Sequence, residues 1–235
     1  MMDLIEVTEN DNRHPWELSR TKCILKELAK LGINGNVLDI GCGDSYFDFQ
    51  LLKQNPDLNV YGVDINLEKE FDEENIHAFN SLNHLPNIKF DFIIMMDVLE
   101  HIENDKGYLK DILEYLSPNG TIFITVPAFM SLYSLHDEEL KHFRRYNHDQ
   151  LSKIIEYAGL NEINWSYFYF SLIIGRLLTK NQTKNLGGWG KPNDSIITKS
   201  ITKLLNIDFR ILRTLSNLGI HIPGLSLMSI CKKEE

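Results

Sequence analysis

Two hydropathy patterns alternate along this chain. Short runs in which apolar residues dominate occur at Asn36–Ile40, Asn59–Val63, Ile76–Phe79, Phe90–Met96 and Thr121–Val126. Between them lie stretches whose apolar residues recur every three or four positions. The first kind reads as buried strands and the second as amphipathic helices. The apolar run held between Asp91 and Asp97 is expected of a strand covered on both faces. Trp16–Leu31 is helical in period and stops at Gly32, a good carboxyl-terminal signal. Ser45–Gln54 reads as a crossover helix ending before Pro56. Asp105–Leu116 reads as a helix closed by the turn Ser117-Pro118-Asn119-Gly120, and His148–Ala158 as one closed by Gly159. Strands alternating with helices predict an α/β domain with a parallel sheet and right-handed crossovers.

After Gly159 the pattern changes. Glu162–Tyr169 reads as a sixth strand, and Leu225–Cys231 as a last one lying antiparallel on the sheet. Lys180–Asp194 is polar, contains Gly187-Gly188-Trp189-Gly190 and reads as a mobile loop. Ser195–Leu218 repeats apolar residues at helical spacing, with Lys199, Lys203, Arg210 and Arg213 between them. That pattern fits a helix packed on the core with solvated basic residues, or a basic amphipathic helix lying on a membrane surface. The expected organisation is a core over residues 1–165 and an extension over 166–235 that completes the same domain.

A chain of 235 residues can bury one full core. Cys23, Cys42 and Cys231 are too few and too scattered for a disulfide framework or a zinc site, so a reducing cytoplasm is the expected setting. The first residues, with Asp3, Glu6 and Glu9, lack the basic and apolar regions of a secretory leader. The longest apolar run, Trp165–Gly175, falls short of the roughly 20 residues needed to span a bilayer. Charge is unevenly distributed: residues 1–140 carry 10 Lys/Arg against 26 Asp/Glu, and residues 141–235 carry 14 against 7. The acidic part is a poor surface for nucleic acid. The basic part suits an anionic substrate or lipid headgroups, or it is solubilising charge that happens to be segregated.

Composition leaves the chemistry open; the turn Val37-Leu38-Asp39-Ile40-Gly41-Cys42-Gly43 narrows it. Its glycines let the backbone turn sharply against a ligand, and Asp64, closing the next strand at Tyr61-Gly62-Val63, stands where such sheets hold a ribose. A dinucleotide would need a third glycine where Tyr46 stands, and its pyrophosphate would meet Asp39. S-adenosylmethionine carries no phosphate, and its ammonium suits an acid beside the turn. A nicotinamide-dependent oxidoreductase is therefore the disfavoured alternative; a non-catalytic module binding S-adenosylmethionine is another.

Four segments in this order, V-L-D-I-G-C-G at 37–43, Y-G-V-D at 61–64, F-D-F-I-I-M-M-D-V-L-E-H-I at 90–102 and L-S-P-N-G-T-I-F-I-T-V-P at 116–127, resemble the class I S-adenosylmethionine-dependent methyltransferases. The resemblance covers most of residues 13–165. The entry Arg13-His14-Pro15-Trp16-Glu17-Leu18 and the later His142-Phe143-Arg144-Arg145-Tyr146 look like a bacterial type 11/12-like subgroup acting on small or cell-envelope metabolites. It implies a Rossmann-like fold: a mostly parallel seven-stranded sheet with one antiparallel strand and helices on both faces. It also implies that Asp39, Gly41, Cys42 and Gly43 line the methionine part of the cofactor. Asp64 would bind the ribose and Ile65 pack on the adenine, with Asn80 and Ser81 at the adenine edge; Asn80 replaces the aspartate of many relatives. Asp97, Val98 and His101 would border the sulfonium, unless Asp97 and Glu100 instead cap the next helical turn. Arg20 would either reach the cofactor's carboxylate or lie exposed on its helix.

Methyl transfer from a sulfonium is an in-line displacement with a neutral leaving group, so proximity, alignment and exclusion of water dominate. A hydroxyl acceptor also needs a base, for which histidine is the natural choice. The segment from Ser134 to Tyr146 combines His136 and His142 with acids, arginines and aromatics. It reads as the acceptor-facing loop, with His136, His142 or His101 as base and Arg144, Arg145 and Tyr146 as substrate contacts; the bland reading is a salt-bridge network with the acids at 137–139 that ties the loop to the sheet. No metal is expected, since His136, Asp137 and His142 match no established ligand spacing. The expected partners are a small-molecule or lipid-linked acceptor and no nucleic acid, with peripheral membrane contact through the basic part.

Overall fold

The structure is a computed structural model describing residues 13–179 and 196–233. The expectations of no leader and of a mobile loop at 180–194 lie outside the described residues.

The chain runs α1 (Pro15–Lys30), β1 (Asn36–Ile40), α2 (Tyr46–Gln54), β2 (Asn59–Val63), β3 (Phe71–Glu73), β4 (Ile76–Phe79), β5 (Phe90–Met96), α3 (Asp105–Ile112) and β6 (Leu116–Pro127). There follow α4 (Leu135–Glu139), α5 (His148–Ala158), β7 (Leu160–Phe168), α6 (Ser171–Thr179), α7 (Ile196–Asn217) and β8 (Ser226–Lys233). The strands form one eight-stranded sheet in the order β3-β4-β2-β1-β5-β6-β8-β7. The pairs β4–β2, β2–β1, β1–β5 and β5–β6 are parallel, and β8 inserts antiparallel between β6 and β7. The eighth strand beyond the seven expected is β3, a short antiparallel edge on β4. Two of its three residues are acidic, so no apolar period betrays it.

Helices cover both faces. On one, Ile24 and Leu28 of α1, Phe47 and Leu51 of α2, and Leu205 and Phe209 of α7 share a core with Val37, Val60 and Ile94. On the other, Leu109 and Ile112 of α3 and Leu151, Ile154 and Ile155 of α5 pack on Leu38, Ile93 and Ile122. The central strands are thus buried on both sides, which is why they read as continuous apolar runs. The run Trp165–Gly175 proves to be two elements: β7 ends, Tyr169 takes a left-handed φ of 63°, and α6 begins. Asp208 of α7 caps that start, accepting from the Phe170 and Ser171 amides at 3.1 and 2.7 Å.

The last helix packs on the core, as one of its two readings expects. Leu205, Phe209 and Leu212 are buried, while Lys199, Lys203 and Arg210 are exposed. Arg213 is not solvated; it is buried with its Nε 2.8 Å from Glu27. Ile197, Leu204, Ile207, Ile211 and Leu218 leave a second apolar stripe in the open. Among the described residues, no helix is long and apolar enough to cross a membrane.

Candidate functional site

The site lies at the carboxyl ends of β1, β2, β5 and β6, where open α/β sheets bind ligands. Leaving β1, the chain turns through Gly41 and Gly43 at φ of 78° and 58°, a region that side chains resist. A Cβ on Gly41 would stand 2.7 Å from Val98 Cγ2, so the turn from β1 touches the one from β5. Asp64, buried at the end of β2, accepts from the Gly43 amide at 3.0 Å and the Asn66 amide at 2.8 Å. Each oxygen keeps a further lone pair for a donor. Ile65 beside it is 78% exposed, a large apolar side chain in water at the rim. Asn80 is exposed, with its amide on Glu70, and Ser81 caps the short turn Leu82–His84 by accepting from Asn83.

A cavity opens between the glycine turn and α1, lined by Arg20, Thr21, Gly41, Asp44, Tyr46 and Met96. Arg20 is neither exposed nor unpaired: it is buried, its guanidinium 4.9 Å from the Trp16 ring centre and 2.5 Å from Asp97 Oδ2. Arg13 closes the rim through ion pairs to Glu17 and Asp44. Beneath the turn, Asp39 and Asp48 are fully buried, and none of their four carboxylate oxygens has a hydrogen-bond partner among the described residues. Burial pushes the Asp39 carboxyl up to about 7, and burial and the Asp39 charge together push Asp48 well up. Cys42, packed against this pair, has its thiol raised by burial and by both acids, the opposite of an activated nucleophile.

The side expected to border the acceptor begins at Asp97, whose φ of 56° is a backbone strain held at the strand end. Thr125 Oγ1 donates to its Oδ1 at 3.2 Å. Burial would raise its pKa, but Arg20 leads a set of positive contributions that hold it below the usual carboxylate range. Neither Asp97 nor Glu100 caps the following turn, Leu99–His101. Glu100 is completely buried, and neither of its oxygens has a hydrogen-bond partner in another residue. Burial, then the neighbouring Asp97, raise it to about 8. Burial lowers His101 to about 4.

The segment after β6 folds back over this point. Phe129 and Lys141 have left-handed φ of 61° and 57°, and the Phe143 amide donates to the Glu100 carbonyl at 2.8 Å. His142 is thereby set edge-on against His101, ring centres 4.6 Å apart. Its Nδ1 lies 2.9 Å from Asp137 Oδ1. Asp137 also accepts from Ser134, from Arg145 Nε at 2.7 Å and from Arg176 of α6 at 2.8 Å. Burial alone would raise it; His142 and the two arginines outweigh that and hold it far below the carboxylate range. His136 is lowered to about 4 by burial and then by Arg176.

The expected substrate contacts are differently placed. Arg145 is buried, its Nη1 3.3 Å from the Ala128 carbonyl, and the Tyr146 hydroxyl sits inside the fold, 2.9 Å from Asp105 and 3.0 Å from the Leu99 carbonyl. Arg144 binds Asp105 at 2.6 Å and the Glu103 carbonyl at 2.8 Å, keeping one edge in solvent. These side chains tie the loop to the sheet, in the manner of the salt-bridge reading. Asp137 is the partner that reading expects, and Asp105 is one it did not foresee. Among the described residues, Glu100, His101 and His142 form one group whose metal-ligating atoms all lie within 4.8 Å of one another. It differs from the His136, Asp137 and His142 set considered from spacing.

Comparison with known proteins shows the family. A family model described as a methyltransferase domain matches residues 17–164. The chain belongs to this family. It is a class I S-adenosylmethionine-dependent methyltransferase domain, and its cofactor is S-adenosylmethionine. It is 25% identical over 127 residues to a ubiquinone biosynthesis O-methyltransferase of Rickettsia typhi, covering 49% of each chain. It is 31% identical over 102 residues to a tRNA U34 carboxymethyltransferase of Nautilia profundicola, covering 39% of this chain and 34% of the relative. This methyltransferase thus spans half or less of the length of these curated relatives. A plantazolicin methyltransferase solved in complex with SAH shares its fold, with a TM-score of 0.54, 16% identity, and coverage of 94% of this chain and 85% of the other.

Proposed function

We propose that this methyltransferase methylates a hydroxyl of a small or lipid-linked molecule that enters between the glycine turn and the Glu100–His101–His142 trio. The observation that carries the reading is His142 fixed by Asp137 beside two further proton-binding groups, just past the strand end where the donor's sulfonium is expected. Asp39, Gly41, Cys42 and Gly43 serve the methionine moiety, Asp64 the ribose, Ile65, Asn80 and Ser81 the adenine, and Asp97 and Val98 the boundary with the acceptor. The carbon passes from sulfur to the acceptor oxygen, sulfur leaves with the bonding pair, and the acceptor's proton is taken up within the trio. Arg144, with its exposed edge, can meet an anionic group on the acceptor. His136 acts through the loop it helps to hold.

The exposed stripe on α7, flanked by Lys199, Lys203 and Arg210, favours an amphiphilic acceptor drawn from an anionic lipid surface. Transfer of labelled methyl from S-adenosylmethionine into fractionated metabolite and lipid extracts tests the reading. Label in a low-molecular-weight or lipid fraction, stable to base as an ether, is the expected result. Label confined to RNA would overturn it.

A further inference from the structure

The trio has the surroundings of a ligand set as well as its spacing. His142 has spent Nδ1 on Asp137, while His101 Nε2 is buried with no partner among the described residues. A carboxylate or carbonyl behind an imidazole is what fixes the tautomer of a metal-ligating histidine. Glu100 adds a carboxylate that is 0% exposed and finds no side chain to bond. The Arg20 guanidinium is committed to Asp97. Two imidazoles and one carboxylate leave coordination positions open on any ion they hold.

We propose that Glu100, His101 and His142 bind one divalent cation of the imidazole-preferring class, such as zinc or cobalt, and that the acceptor's hydroxyl ligates it. The proposal rests on the reading of this mouth as the acceptor side and specifies how the trio acts there. The hydroxyl gives its proton to the free oxygen of Glu100 as the new oxygen–carbon bond forms. The carbon–sulfur bond breaks, and sulfur keeps the pair. His142 is then a ligand, with Asp137 as its positioning residue.

The test uses tag-free full-length protein, stripped with a chelator and titrated with Co2+ alone, followed by calorimetry and by the visible absorption of the bound ion. The wild type is expected to take up one equivalent. Glu100→Gln and His142→Gln, checked for intact folding by binding of S-adenosylhomocysteine, should each lose about tenfold or more in affinity, and Asp137→Asn roughly 10–100-fold. No uptake by the wild type, or equal uptake by Glu100→Gln and His142→Gln, overturns the proposal. Methyl transfer to a small hydroxyl compound that persists in metal-free protein would also overturn it while leaving the proposed function standing. Cobalt binding with label found only in RNA would do the reverse.

Discussion

Replacing Asp64 by alanine separates the cofactor assignment from general damage. In the free protein this carboxylate accepts from two backbone amides, those of Gly43 and Asn66, and its remaining lone pairs face the position assigned to the ribose. Hydrogen bonds to a charged group contribute about 1.5–3 kcal/mol each, so losing two ribose hydroxyls removes about 3–6 kcal/mol. That corresponds to a loss of roughly 10²- to 10⁴-fold in affinity. Freeing the buried Gly43 amide costs a further 1–3 kcal/mol, approximately, in folding stability. Calorimetric titration with S-adenosylhomocysteine reads the first quantity and thermal unfolding of the unliganded protein the second. A folded Asp64→Ala protein that binds within about threefold of wild type would refute the ribose assignment, since one neutral hydrogen bond is already worth more than that.

Gly41→Ala should be costly twice over. A left-handed φ of 78° disfavours alanine by about 1–2 kcal/mol, and its Cβ would collide with Val98; loss of cofactor binding with a lowered unfolding midpoint is expected, and normal binding would contradict the close approach. His142→Ala should leave S-adenosylhomocysteine affinity intact and lower turnover roughly 10²–10⁴-fold once an acceptor is known; lost cofactor affinity would place His142 on the donor side instead. Asp39 and Asp48 both have folded pKa values above that of free aspartate, so their contribution is full at acid pH and is lost progressively as pH rises, for Asp39 by about 7. The unfolding midpoint of the cofactor-free protein should therefore drop between pH 6 and pH 8.5, approximately, and Asp48→Asn should flatten that dependence; an unchanged slope would show that the pair is not its source. Cosedimentation with phosphatidylglycerol vesicles should be salt-sensitive and lost in Lys203→Glu/Ile207→Ser, and no binding at low salt would remove the lipid-surface reading.

The parts that were legible in the sequence share a physical reason. Central strands buried on both faces are apolar throughout, and the turn at Gly41–Gly43 needs residues that little else supplies, so both survive as local patterns. The edge strand Phe71–Glu73 has no buried face to mark it. The start of α6 hides in an apolar run because the break at Tyr169 is a backbone event. The trio is harder still: Glu100 and His101 are neighbours in sequence, but His142 joins them only through the Phe143 amide and Asp137, two contacts with no local signature. Arg145 and Tyr146 pointed to substrate by type alone. Their inward orientation is set by Asp137, eight residues before Arg145, and by Asp105 of another segment.

The seam between β1 and β5 also divides the molecule by task. Residues assigned to the donor follow β1, β2 and β4, while the trio and its supports follow β5 and β6, and the two groups touch where Gly41 meets Val98. The segment from Ala128 to Asn147 is pinned by backbone hydrogen bonds from Ala128 to Leu225, from Phe143 to Glu100 and from Tyr146 to Pro127. A descendant of this gene could therefore exchange that segment for another of similar span and change what is methylated while inheriting the methyl source untouched. On the proposed assignments, acceptor choice is a replaceable cassette on a fixed engine.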